Sequence, residues 1–207
     1  MALHIDHIVW GVDDLERAAV QVQARYGLAS VPGGRHPGWG TANRIVPLGP
    51  SYLELIAVAD ADEAAADPVG RGYARHIQAA GGLMLWCLAT DELDAIAARL
   101  DLPIEAKSRV LPDGTSLGWR LVGLPEALDN PSLPFFIEWD VPPERHPGRM
   151  QAVHAVAPEG ITSVTVGADP AELSAWLGGA SLPVRLDGPP GVNSVTVATA
   201  GGDIVIP

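Results

Sequence analysis

Three short acidic motifs at equal intervals constrain the fold of this chain more than any other feature. Asp13-Asp14-Leu15-Glu16, Asp91-Glu92-Leu93-Asp94 and Asp169-Pro170-Ala171-Glu172 each offer an Asp that can accept hydrogen bonds from free N–H groups at a helix start. Each also places an acid three residues later, near the positive end of the helix dipole. The leading Asp recurs at 13, 91 and 169, two intervals of 78 residues. A β-rich segment precedes each motif: Ile5 to Val12, Leu83 to Ala89 and Ile161 to Val166. An amphipathic helix follows each, with its first apolar stripe at Leu15, Ala18, Ala19 and Val22 and its stop at Gly27. Strand-like runs separated by Gly, Pro and Asp turns complete each unit, which reads β-α-β-β-β.

The expected fold is therefore α+β. Pairing two units puts helices on the outer face of a curved, cupped sheet, and a degraded third unit follows. The expected boundaries are 1–66 for the first unit, 67–80 for a linker helix and 81–140 for the second unit. Residues 141–160 form a loop and 161–207 the third unit. A net charge of −12 without a basic stripe argues against nucleic acid as a partner. The longest apolar run, Leu83 to Ala89, is too short to span a bilayer, and the opening residues lack a signal-peptide pattern. With Cys87 as its one cysteine, the chain is expected in the reducing cytoplasm, and Cys87 itself as a small buried hydrophobe.

Period-two alternation suggests where chemistry sits. In the first strand Ile5, His7 and Val9 are expected to face the cup, and Asp6, Ile8 and Trp10 the helix. In the last strands of the first two units, Tyr52 and Glu54 share one face, as do Phe136 and Glu138. A carboxylate flanked by apolar neighbours is costly to bury unless it is paired or binds a metal. His7, Glu54 and Glu138 are thus expected to form a divalent-metal set for Zn, Mn, Fe or Ni, with no organic cofactor. The run Arg35-His36-Pro37-Gly38 recurs as Arg145-His146-Pro147-Gly148. The first copy, glycine-rich up to Gly40, is the better candidate for a loop at the rim of the cup. Arg35 would bind an anionic group and His36 would move protons, while Trp39 and Asn43 line a pocket with Tyr52 and Phe136. The second copy reads first as a surface turn.

The β-α-β-β-β repeat, the opening Asp6-His7-Ile8-Val9-Trp10-Gly11-Val12-Asp13-Asp14-Leu15 and the strand Tyr52-Leu53-Glu54-Leu55-Ile56 resemble the glyoxalase / vicinal-oxygen-chelate superfamily. The runs 33–43 and 134–139 are similar to its glyoxalase-like branch. The resemblance implies metal ligands on the first and last strands of two paired units: His7, Glu54, Glu138 and the counterpart of His7. Counting back from Asp91 puts Leu85 at that last place, and leucine cannot ligate; the third unit offers Ser163 there. The resemblance further implies an isomerase, lyase or dioxygenase that polarises vicinal oxygens of a small molecule, with Glu54 or Glu138 as base. The alternative is a metal-free protein that binds a small molecule or antibiotic. A homodimer is compatible with either.

Overall fold

The computed structural model describes residues 3–79, 81–110 and 116–207. The first unit consists of β1 (His4–Gly11), α1 (Leu15–Tyr26), β2 (Val31–His36), β3 (Thr41–Pro47) and β4 (Tyr52–Val58). Helices α2 (Ala61–Ala66) and α3 (Pro68–Ala79) follow. The second unit is β5 (Gly82–Ala89), α4 (Leu93–Leu100), β6 (Glu105–Val110), β7 (Ser116–Val122), α5 (Leu124–Asp129) and β8 (Phe135–Trp139). The strand order β2-β3-β4-β1-β5-β8-β7-β6 joins both units in one sheet through the antiparallel β1–β5 pair. The sheet curls until its edge strands β2 and β6 touch. Met1, Ala2 and Ala80, the last residue of the expected linker helix, lie outside the described residues. Among the described residues no helix is long and apolar enough to cross a membrane.

The helix starts hold, but only one cap sits where the spacing put it. Asp169 accepts from the N–H groups of Ala171 and Glu172. Asp14 rather than Asp13 caps α1, and Asp13 pairs with Arg17 instead. At α4 the N-cap is Glu92, and the N–H of Leu93 reaches the Glu138 carboxylate from β8 at 3.3 Å.

Two cores flank the sheet. The outer one packs Ile8, Leu53, Leu55, Trp86 and Phe136 beneath α1 and α4. The inner one fills one end of the concave face, where α3 and α5 contribute Tyr73, Ala127 and Leu128 against Val9, Leu85, Cys87 and Ile137. The sequence reading contains the α3 half of this plug, as the linker helix expected at 67–80, but has no helix at 124–129.

The third segment is β9 (Pro158–Gly167), α6 (Pro170–Trp176), β10 (Val184–Thr199) and β11 (Ile204–Ile206), a separate antiparallel sheet. The two strands expected at 184–186 and 192–199 are one long strand broken by bulges. Val164, Val166, Val195 and Val197 join the outer core, and the Trp176 indole N–H donates to Pro134 O at 2.7 Å. This segment covers the back of the main sheet rather than the cup.

The chain between β8 and β9 is not a free loop. It makes two short 3-10 turns, Pro143–Arg145 and Pro147–Arg149, and docks through Gly148, whose carbonyl accepts from Gly49 N at 2.8 Å. A Cβ at position 148 would lie 2.5 Å from Ser51 O and 2.7 Å from Gly49 O, both rigid backbone atoms. Gly148→Ala is expected to lift this turn off the sheet and lower unfolding stability by about 1–3 kcal/mol, read by urea denaturation.

Candidate functional site

The site begins with an irregularity in β1. Ile5 lies opposite Leu88 and His7 opposite Cys87, so Asp6 is the extra residue of a β-bulge. Bulges re-aim side chains, and this one breaks the expected alternation. Ile5 turns into the outer core with Ile8, while Asp6 and His7 both turn inward. His7 Nδ1 is 2.6 Å from Asp6 Oδ1. That contact makes Nδ1 the donor to Asp6 and turns Nε2 toward the cup.

Asp6 is the hub behind the cup. Its Oδ2 accepts from the Trp139 indole N–H at 3.0 Å and from His146 Nε2 at 2.9 Å. His146 Nδ1 accepts from Gly148 N, which fixes the donor proton on Nε2. Burial alone would raise the Asp6 carboxyl, but the hydrogen bonds from His146 and His7 outweigh it and hold the group well below the usual carboxylate range. The second Arg-His-Pro-Gly run, read as a surface turn, therefore supplies one essential imidazole to this hub, while Arg145 stays exposed.

Glu54 is 8% exposed and lies on the cavity wall between two imidazoles. His7 Nε2 is 3.8 Å from Oε2, and His36 Nε2 is 3.7 Å from Oε1, which also accepts from the Asn43 amide. His36 Nδ1 is held by Thr41 Oγ1 at 2.9 Å, so its Nε2 also faces inward. Among the described residues no arginine or lysine pairs with Glu54. The cavity is small and is walled by Trp39, Tyr52, Tyr73, Trp119, Phe135 and Trp139. Tyr52 stacks on His7 with ring centroids 4.5 Å apart.

Of the residues expected from sequence, the cavity thus brings together His7, His36, Trp39, Asn43, Tyr52 and Glu54. It leaves out three. Glu138 points to the outer face, where it pairs with Arg120 and caps α4. Phe136 lies in the outer core, stacked on Trp176. Arg35 is exposed and turned toward Asp60 and Glu63. The cause for the first two is register. His7 and Glu54 flank the parallel β1–β4 pair, with His7 opposite Tyr52 and Val9 opposite Glu54. In the parallel β5–β8 pair, Cys87 lies opposite Phe135 and Ala89 opposite Ile137. Pairing therefore equates His7 with Cys87, not Leu85, and Glu54 with Ile137, not Glu138.

A four-donor set across the two units is therefore half lost, since Ile137 cannot ligate. Among the described residues, Asp6, His7 and Cys87 form a group of ligand-type atoms within 4.8 Å of one another. Both Asp6 oxygens are already bonded there, and burial, with the charges of Asp6 and Glu54, pushes the Cys87 thiol up. That group is closed. The donor atoms that face the cavity are His7 Nε2, the Glu54 carboxylate and His36 Nε2, the last also 3.4 Å from the Asn43 amide nitrogen, and all come from the first unit.

The profile of the Glyoxalase-like domain matches residues 5–181. No curated protein matches the sequence. Among solved structures, a hypothetical protein from Staphylococcus aureus shares the fold over 99% of this chain and 84% of its own, with TM-score 0.66 and 18% identity. A methylmalonyl-CoA epimerase from Mycobacterium tuberculosis aligns over 66% of this chain and 86% of its own (TM-score 0.46, 15% identity). One from Streptomyces coelicolor, in complex with 2-nitronate-propionyl-CoA, aligns over 67% and 97% (TM-score 0.47, 18% identity).

Proposed function

The chain belongs to the glyoxalase-like domain family, and on that premise we propose that its cup is a divalent-metal site acting on a small oxygenated molecule, with His7, Glu54 and His36 as the donors. The observation that carries this reading is the state of Glu54. Its carboxylate is buried, has no arginine or lysine partner among the described residues, and faces two imidazoles whose other nitrogens are already engaged. Taking an ionised carboxylate out of water costs several kcal/mol, which one amide donor offsets only in part and a bound cation would offset further.

Two imidazoles and one carboxylate with open positions suit Zn, Mn, Fe or Ni. A bound ion supplies Lewis acidity to adjacent substrate oxygens. The chain's own residues do the rest. Asp6 keeps His7 in one tautomer and one orientation, and Thr41 does the same for His36. Asn43 holds one Glu54 oxygen, which leaves Oε2 to join the donor set and, when it leaves the ion, to take a proton from the substrate and return it. The aromatic walls exclude water and orient a flat body. Isomerase, lyase and dioxygenase reactions all begin from such a polarised state.

The same walls around a carboxylate also favour a second reading, a metal-free protein that binds an organic cation through ring faces. Elemental analysis of protein purified without chelator or a metal-affinity tag separates the two. The expected result is close to one divalent ion per chain, retained in Glu138→Gln and depleted in His36→Gln. A metal-free wild type that binds quaternary ammonium compounds would favour the second reading.

A further inference from the structure

We propose that Lys107 reads a carboxylate on the molecule the cup takes, so that the substrate is a small planar acid bearing its reactive oxygens at the end away from the acid group. This rests on the metal reading for the oxygen-bearing end only. Lys107 is the single lysine among 13 basic residues; the other cations are arginines. Its place is specific. In the β6–β7 ladder Lys107 is opposite Trp119, and cross-strand partners share a face, so its side chain rises beside a wall of the cavity. The ammonium stands 5.0 Å over the ring of Trp39, a second wall residue from the far edge of the sheet. It thus stands at the seam where β2 and β6 meet, against two residues of the cup's wall.

Charge decides which end of a ligand sits there. Inside, Glu54 and the ionised Asp6 repel an anion. At the seam Lys107 is half-buried, and its partner is Glu105 at 3.3 Å, itself 37% exposed. Such a pair is weak and readily exchanged for a ligand carboxylate. The guanidinium that the sequence suggested for this task, Arg35, is turned away to α2. The cavity is small and lined by Tyr73 of α3 and Leu124 of α5, which favours a compact body between the two ends.

Protocatechuate, a catechol with a carboxylate across the ring, and its neutral methyl ester form the probe pair. Binding is followed by tryptophan fluorescence and calorimetry on wild type and Lys107→Met, which keeps the stem over Trp39 and removes the charge. The acid is expected to bind about tenfold more weakly to the variant, with the ester changing less than about twofold. Equal changes for acid and ester, or a wild type that takes neither, would overturn the assignment. Repeating the titration after chelation keeps the two readings apart. Loss of metal binding alone contradicts the donor set, whereas an acid preference that ignores Lys107 contradicts this inference.

Discussion

Asp6→Ala is expected to lower unfolding stability by roughly 3–5 kcal/mol, the largest loss of any single polar substitution in this chain. Asp6 is 1% exposed, and its two oxygens serve three donors: His7, Trp139 and His146. Each buried donor left without an acceptor costs about 1–3 kcal/mol. Those donors arrive from β1, β8 and the turn beyond it, so the substitution also loosens the docking of residues 143–149. Asp6→Asn retains one acceptor and separates charge from packing. Because the folded carboxyl is held below its usual range, its contribution is fully present above the unfolded value near ~4 and is lost as pH falls from there toward the folded value. The stability gap between wild type and Asp6→Asn should therefore stay constant from neutral pH to about pH 5 and shrink below about pH 4. Guanidinium titrations at several pH values check this; a gap that widens on acidification would contradict the hub role. Metal affinity should fall about 10–100-fold in Asp6→Asn, because His7 loses the group that orients it.

Glu54→Gln carries the second large effect, and its sign depends on metal. In chelated protein the substitution removes an uncompensated buried charge while keeping an oxygen for Asn43, so stability should hold or rise by about 1–3 kcal/mol. In metal-loaded protein the same change should weaken ion binding more than about a hundredfold and lower Tm. Thermal melts of both proteins, with and without chelator, give the comparison. A residue retained only for packing would not show opposite shifts in the two states.

The fold was legible because the repeat is written in features that local physics enforces: helix caps, apolar stripes and turn residues at a shared period. The first unit's site was legible for a similar reason. In β4 the polar Glu54 interrupts an apolar strand, and its face follows from Tyr52 and Ile56. The second unit misled because β8, Phe135-Phe136-Ile137-Glu138-Trp139, carries aromatic residues on both faces, so its one carboxylate does not say which side is the cup. Strand pairing says so, and pairing is a long-range fact. Counting by the repeat failed for another physical reason. Val9 precedes the α1 cap by five residues, whereas the matching Ala89 precedes the α4 cap by three. That shortening moves the counterpart of His7 from Leu85 to Cys87. The bulge that turns Asp6 inward has no signature in a strand of this composition. Lys107 does carry a signal in the sequence, as the one lysine among 13 basic residues.

The claim on which the rest depends is that the ion's protein donors all come from the first unit, two of them imidazoles. X-ray absorption at the metal edge of the reconstituted protein tests this directly. Scattering from two imidazole rings and an oxygen shell, falling to one ring in His36→Gln, is the expected spectrum. A sulfur shell near ~2.3 Å would instead implicate Cys87, and a single ring unaffected by His36→Gln would remove the proposed donor set.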